Sequence, residues 1–290
     1  MKTVLVTGSQ GFIGKALVHS LARSKSFRVI QTGRRSNALG ESSKSWEYYQ
    51  IDFEDPKAYE KMLCLPQADA IIHLGTVVGL NGATLDDMFV PNILATGCIA
   101  RLAKVWDAQL CFASTAIIAG LKTSFVSSSS PVLLDTPYAE TKYLGEELIK
   151  ASGANYCILR IGGVFGLNGP SHLGINNSLN SALVGEPPLL RGSGGGLRNY
   201  IYVKDLVDII VNVLENQFAG THLVGGSDEI SIADMLMQIC EIFLPGMQPK
   251  LLDGNNSSSQ LIECSKDLPK ALGFREALLD IKTDAVQLIK

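Results

Sequence analysis

Short apolar runs alternate with longer amphipathic stretches through the first 165 residues of the chain. The runs at Thr3–Thr7, Phe27–Thr32, Ala70–Leu74, Gln109–Ser114 and Tyr156–Arg160 lack the polar–apolar alternation of half-exposed strands. That pattern predicts parallel strands covered on both faces. Between them apolar positions fall at helical spacing; Ile13, Leu17 and Leu21 form one stripe with Ala16 beside it. Strand–helix alternation with short connections predicts an α/β fold with a doubly wound parallel sheet. Beyond Phe165 the texture changes. Residues 166–196 are rich in Gly, Pro, Asn and Ser, a strand and helix follow over 199–214, and helical patterns recur at 232–243 and 278–289. The expected division is one α/β domain over 1–165, with about 199–217 returning to it, and a smaller lobe over 166–290.

Composition changes this picture little. The chain is 46% hydrophobic and 18% charged with a net charge of −3, so neither nucleic acid nor an anionic membrane is an expected partner. No apolar run approaches the ~18 residues of a membrane span. The opening MKTVLVTG reads as a strand leading into a glycine turn rather than a secretion signal, and a cytoplasmic location is expected. The six cysteines lack CxxC or His spacing, which predicts reduced thiols, mostly in the core, and no metal site.

The chemistry begins at the first strand. Gly8, Gly11 and Gly14 stand as G-x-x-G-x-x-G around Gln10, Phe12 and Ile13, between a strand and a helix. Glycines let the backbone approach a pyrophosphate, and the helix amides and dipole favour its charge. At the end of the second strand, Gly33 stands where an NAD-preferring protein carries a carboxylate, and Arg34 and Arg35 follow. Guanidinium groups there suit a 2′-phosphate, so NADP(H) is favoured over NAD(H). Tyr138 and Lys142 lie four residues apart and share a helix face. A nearby ammonium favours the phenolate, so such a pair can pass a proton to or from a carbinol oxygen. Ser114 and Thr115 offer hydroxyls at a strand end.

Together these segments resemble the extended short-chain dehydrogenase/reductase family, the NAD-dependent epimerases, dehydratases and reductases of sugar nucleotides. The resemblance runs from Thr3 to about Phe274. It implies a Rossmann-type fold, with Gly8, Gln10, Gly11, Phe12, Ile13, Gly14, Arg34, Arg35, Asp52, Phe53, Leu74, Gly75, Thr76, Tyr138, Lys142 and Ile161 at the cofactor. The Arg34-Arg35-Ser36 run looks like that of the NADP-using GDP-mannose dehydratases. Tyr138 would be the acid/base, Lys142 its electrostatic partner, and Thr115 the hydroxyl that holds the reacting oxygen. Ser114, Thr115, Gly163 and Arg198 would meet the substrate, Arg198 at its diphosphate; Gly163 replaces the Asn usual there. His73 reads as a satisfied core histidine, Asn92 as structural, and Asp205 as the cap of the next helix.

Departures narrow the reaction. Ala116 and Ile117 replace the Asp-Glu pair of the family's 4,6-dehydratases, and neither can move a proton. Ile117 and Asn168 replace the Cys and His of the GDP-fucose synthases, which disfavours 3,5-epimerisation. The expectation is reduction of a keto-sugar nucleotide or epimerisation at carbon 4, by a homodimer. The alternatives are a reductase of a non-nucleotide carbonyl compound and a non-catalytic NADP-sensing regulator.

Overall fold

The structure, a computed structural model, describes residues 1–36, 46–79 and 82–289. The chain forms two compact units, the first from Met1–Gly120, Val132–Arg160 and Val207–His222, the second from Leu121–Pro131, Ile161–Leu206 and Leu223–Lys290. The excursion at Leu121–Pro131 has no signal in the hydrophobic pattern. The return to the first unit begins at Val207 rather than near 199.

In chain order come β1 (Lys2–Thr7), α1 (Phe12–Arg23), β2 (Phe27–Gly33), β3 (Trp46–Gln50), α2 (Ala58–Leu63), β4 (Ala70–His73) and α3 (Leu85–Met88). A π-helical turn (Phe89–Leu94) leads into α4 (Ala95–Trp106), followed by β5 (Gln109–Thr115) and a short 3₁₀ turn (Ala116–Ala119). The strand β6 (Phe125–Val126) precedes α5 (Pro137–Ser152) and β7 (Tyr156–Ile161). Then follow β8 (Val164–Phe165), α6 (Gly174–Leu183), β9 (Leu189–Arg191), β10 (Leu197–Arg198), β11 (Ile201–Tyr202), α7 (Val203–Asn216) and β12 (Gly220–Val224). The chain closes with β13 (Ile230–Ser231), α8 (Ile232–Phe243), β14 (Lys250–Leu252), β15 (Leu261–Ile262) and α9 (Phe274–Ile289).

Seven strands form one sheet in the order β12-β7-β5-β4-β1-β2-β3, and the pairs from β5 through to β3 run parallel. The expected strands are present because fully apolar runs bury both faces. Leu5, Ile30, Ile71, Leu110 and Ile158 of the sheet share one core with Ile99, Leu102 and Ala103 of α4 and Ile149 of α5. The edge strand β3 escaped the pattern because its WEYYQ sequence is half-buried and carries no apolar run. The helix α6 also escaped it, being rich in Asn; Ile175, Leu179 and Ala182 still make its buried stripe. The continuous helical run Leu85–Trp106 is long and apolar enough by length and composition to cross a membrane, although charged and polar residues interrupt it. More than half of its most apolar stretch is buried against the sheet and α5.

In the second unit, short strands pair as β8 with β11, β9 with β14 and β6 with β15 in parallel, and β10 with β13 antiparallel. Asp205 lies in the first turn of α7 rather than before it, and its carboxylate accepts the Leu272 N–H at 3.1 Å. It therefore anchors the segment ahead of α9.

The strand order reverses direction at β1, with β2 on one side and β4 on the other. A crevice at the carboxyl ends of β1 and β4 follows from that reversal. Gly8 sits there at φ +67°, and a Cβ added to it would lie 2.7 Å from the Gly75 amide nitrogen. Gly8→Ala is expected to destabilise the fold by about 1–3 kcal/mol through strain and backbone contact. The measurement is urea unfolding: the midpoint should fall with an unchanged slope, and an unchanged midpoint would refute the close approach.

Candidate active site

The loop after β1 turns within Gly8–Gly11, where the Gly11 N–H donates to the Gly8 carbonyl at 3.0 Å. A Cβ at Gly14 would fall 2.2 Å from that same carbonyl oxygen, so the helix can begin this close to the strand only with glycine there. The N-cap of α1 is Gly11, and no side chain caps the helix. The amides of its first turn are thus presented with the helix dipole behind them, the arrangement that receives a pyrophosphate. A nicotinamide dinucleotide fits these residues: Gly8, Gly11 and Gly14 would admit its diphosphate beside Gln10, Phe12 and Ile13.

At the end of β2, a Cβ on Gly33 would meet the Gln10 Oε1 at 2.8 Å and the Tyr48 hydroxyl at 3.1 Å. Tyr48 donates to the Gly33 carbonyl at 2.9 Å and also engages the Arg35 carbonyl. Gln50 Nε2 holds the Arg34 carbonyl at 2.9 Å. The backbone is therefore pinned while the Arg34 and Arg35 side chains stand exposed. Neither guanidinium has an ion-pair partner among the described residues. Asp52 forms a turn, one carboxylate oxygen accepting the Glu54 N–H at 3.1 Å. The Phe53 ring covers Gly75, where a Cβ would come within 3.1 Å of it.

A buried chain of hydrogen bonds runs beneath the crevice. Thr96 Oγ1 donates to the Asn92 carbonyl at 2.5 Å, so it must accept from His73 Nε2 at 3.0 Å. His73 Nδ1 then accepts from Thr7 Oγ1 at 2.7 Å, and Thr7 accepts the Gly75 N–H at 3.2 Å. One tautomer of His73 satisfies every partner. His73 is fully buried, and burial, reinforced by Lys142, pushes its pKa down to about 3. It is the satisfied, neutral core histidine that the sequence suggested. The Asn92 side chain accepts from Val77 N and Thr76 Oγ1, and donates to the Val77 carbonyl and to Thr141 Oγ1. Thr141 donates to the Tyr138 carbonyl at 2.9 Å, so the loop after β4 is tied to the helix that carries Tyr138.

That helix, α5, starts where Thr136 caps the Ala139 N–H and Pro137 takes the first position. Tyr138 and Lys142 follow on one face. Lys142 Nζ is 5.9 Å from the Tyr138 ring centre and 4.6 Å from that of Phe112. It donates to the Ala113 carbonyl at 2.8 Å. Burial, only partly offset by Glu146, lowers the Lys142 pKa to about 7. Burial also pushes the Tyr138 phenol up to about 12. Desolvation thus opposes the lowering of the phenol expected from Lys142.

Thr115 ends β5, and its Oγ1 accepts the Ile117 N–H at 3.4 Å, which leaves the hydroxyl hydrogen to donate elsewhere. Ser114 is placed differently. Its hydroxyl donates to the buried Glu146 carboxylate at 2.6 Å, so its hydrogen is committed within the protein.

In the second unit, Gly163 lies under the Tyr200 ring, where a Cβ would come within 2.6 Å of Tyr200 Cδ1. No side chain fits there while Tyr200 holds its place. Arg198 is half-buried, and its Nη1 donates to the carbonyls of Leu197 and Ser258 at 2.8 and 2.5 Å. Asn199 beside it is buried and joins the Gly226 and Ile262 backbones. Ile161 is buried at the end of β7. All six cysteines are free thiols, but only Cys111, Cys157 and Cys240 are buried. Among the described residues no cluster of His, Cys, Asp or Glu could hold a metal ion. Sequence reasoning passed over Thr7, Thr96 and Glu146. Glu146 had a legible signal: it stands one helical turn beyond Lys142 on the same face.

Comparison with known proteins agrees with this architecture. UDP-glucuronic acid decarboxylase 3 of Arabidopsis thaliana is 23% identical over 288 residues, covering 92% of this chain and 82% of the relative. UDP-glucose 4-epimerase 2 of the same plant is 27% identical over 243 residues, covering 71% and 69%. Among solved structures, UDP-glucuronic acid 4-epimerase from Bacillus cereus in complex with NAD superposes with a TM-score of 0.82 at 20% identity, over 99% of this chain and 100% of that one. MoeE5 in complex with UDP-glucose and NAD gives 0.83 at 22%, over 99% and 100%. The structural likeness establishes the shared fold. The family model for the NAD dependent epimerase/dehydratase family matches residues 4–226, and the chain belongs to that family.

Proposed function

We propose that this chain binds NADP(H) in preference to NAD(H) and moves hydride at one carbinol carbon of a nucleotide-activated sugar, by keto-sugar reduction or carbon-4 epimerisation. The observation that carries this reading is that one unit holds both the glycine cradle at Gly8–Gly14 and the Tyr138–Lys142 pair, tied by the chain through His73, Asn92 and Thr141. The relatives named above act on UDP-sugars by their names, which supports the substrate class. Dehydration is disfavoured by Ala116 and Ile117, which follow Thr115 and carry no acid or base.

The nicotinamide ring, when bound, supplies the hydride acceptor or donor. The protein's own groups do the rest. Thr115 donates its hydroxyl hydrogen to the reacting oxygen. Tyr138 takes or gives the proton, and needs a positive charge nearby to bring its phenol down from about 12. Lys142 holds the Ala113 carbonyl and supplies part of that charge. Arg198 is the second unit's candidate for the substrate's diphosphate.

The two solved relatives named above were solved with NAD. The NADP preference rests on this chain's own residues: no carboxylate at Gly33, and exposed guanidinium groups at Arg34 and Arg35. Fluorescence titration should show NADPH bound at least roughly tenfold more tightly than NADH, with the preference removed by Arg34→Ala together with Arg35→Ala. Equal affinities in the wild-type protein would refute the assignment.

Incubation with UDP-glucose, UDP-glucuronic acid and dTDP-glucose, with mass-spectrometric and chromatographic analysis of products, tests the reaction. An isomer of unchanged mass, or consumption of NADPH with a keto-sugar nucleotide, is the expected result; loss of water or carbon dioxide would replace this reading by dehydration or decarboxylation. Tyr138→Phe should lower turnover by about 10²–10⁴-fold with cofactor affinity within twofold of wild type.

We also propose a homodimer. Phe89, Val90 and Leu94 on the turn before α4, and Leu144 and Leu148 on α5, expose apolar side chains, and α4 and α5 are packed together, a Cβ at Gly97 reaching Leu148 at 3.4 Å. Light scattering should give twice the chain mass, and Leu148→Glu should return a folded monomer; a wild-type monomer would sink the assignment.

A further inference from the structure

Glu146 is the one carboxylate whose side chain is fully buried among the described ion pairs. An ionised group in that position is costly to desolvate unless its oxygens are well partnered. They are. Oε1 accepts from Ser114 Oγ at 2.6 Å and from Arg160 Nε at 3.0 Å, and Oε2 accepts from Arg160 Nη2 at 2.8 Å, with Lys150 Nζ at 3.6 Å. One side chain thus joins α5, the end of β5 and β7. A leucine would fill the same space between Gly145 and Ile149 without any charge to compensate, so filling the core does not account for the carboxylate.

The geometry around β5 does account for it. The Ala113 carbonyl is held by Lys142 and the Ser114 hydroxyl by Glu146. Both holders come from successive turns of α5, and Thr115 is the next residue. We propose that Glu146 is a positioning residue: through Ser114 it fixes the strand end that carries Thr115, and it is the buried anion that keeps Lys142 charged. The role assigned to Thr115 and Lys142 rests on the function proposed above.

Several groups face Lys142. From α5 they are Tyr138 and Glu146, from β4 the neutral His73, and from β5 the Phe112 ring and the Ala113 carbonyl. Arg160 and Lys150 face Glu146 in turn. Neutralising Glu146 therefore removes the anion, one helical turn away on α5, that opposes desolvation at Lys142. Its pKa already lies near 7, with Glu146 the influence that raises it.

Two variants separate the two effects. Glu146→Gln keeps an oxygen for Ser114 and removes the charge. Ser114→Ala keeps the charge and removes the tether. In protein carrying ¹³Cε-lysine, with Lys142 assigned by the signal missing from Lys142→Met, Glu146→Gln should move the Lys142 midpoint down by about one unit or more, and Ser114→Ala should leave it in place. An unmoved midpoint in a folded Glu146→Gln protein overturns the proposal. This measurement needs no substrate, so it stands or falls apart from the sugar-nucleotide reading. On a sugar nucleotide that the wild type turns over, Ser114→Ala should lower kcat roughly tenfold or more with KM within twofold. An unchanged kcat would remove the positioning role, whereas a merely structural tether would lower the melting temperature and leave kcat alone.

Discussion

Everything in the first unit depends on how closely β1 and β4 end beside one another. Gly8 turns back at a positive φ with its Cα against the Gly75 amide. That contact leaves no room for a side chain at Gly8 and places the start of α1 over the crevice. Parallel strands must enter and leave the sheet through covering helices, and the order reverses at β1, so the crevice is a consequence of topology before it is a feature of chemistry. The hydrogen-bonded chain through Thr7, His73 and Thr96 then fixes the floor of the crevice from below.

Burial opposes the proton transfer proposed for the Tyr138–Lys142 pair. Desolvation holds the phenol proton on and drives the lysine proton off, the reverse of what proton transfer at neutral pH requires. The protein answers from within α5, where the buried Glu146 draws the lysine back toward its charged form. A further positive charge arriving above the pair would lower the phenol but would also press the lysine to give up its proton, which makes the buried Glu146 the counterweight.

Much of this could be read from the sequence, for physical reasons that are specific to it. The central strands were legible because parallel strands buried on both faces are continuous apolar runs, as in Val4–Val6 and Ile71–Ile72. The glycine loop and the Tyr138–Lys142 spacing were legible because each is a pattern of neighbouring positions in the chain. The edge strand β3 was not, since a half-exposed strand ending in polar residues has no such run. Ser114 shows the other limit. Its place beside Thr115 suggested a contact with substrate, whereas its hydroxyl is turned to Glu146, a partner 32 residues away that no local pattern reveals. The tyrosine at position 200 likewise explains the glycine at 163 only once the two are seen stacked.

The hydroxyls of Thr7 and Thr96 each give one hydrogen and receive one, with His73 between them in a single tautomer. The chain therefore has a direction, from the Gly75 amide to the Asn92 carbonyl, and none of its three members can be exchanged alone without leaving a neighbour unsatisfied in the core. For the descent of this chain, positions 7, 73 and 96 form one heritable unit. Change at any one of them is felt at the other two, and even an apolar set at all three would leave the Gly75 amide and the Asn92 carbonyl without these partners.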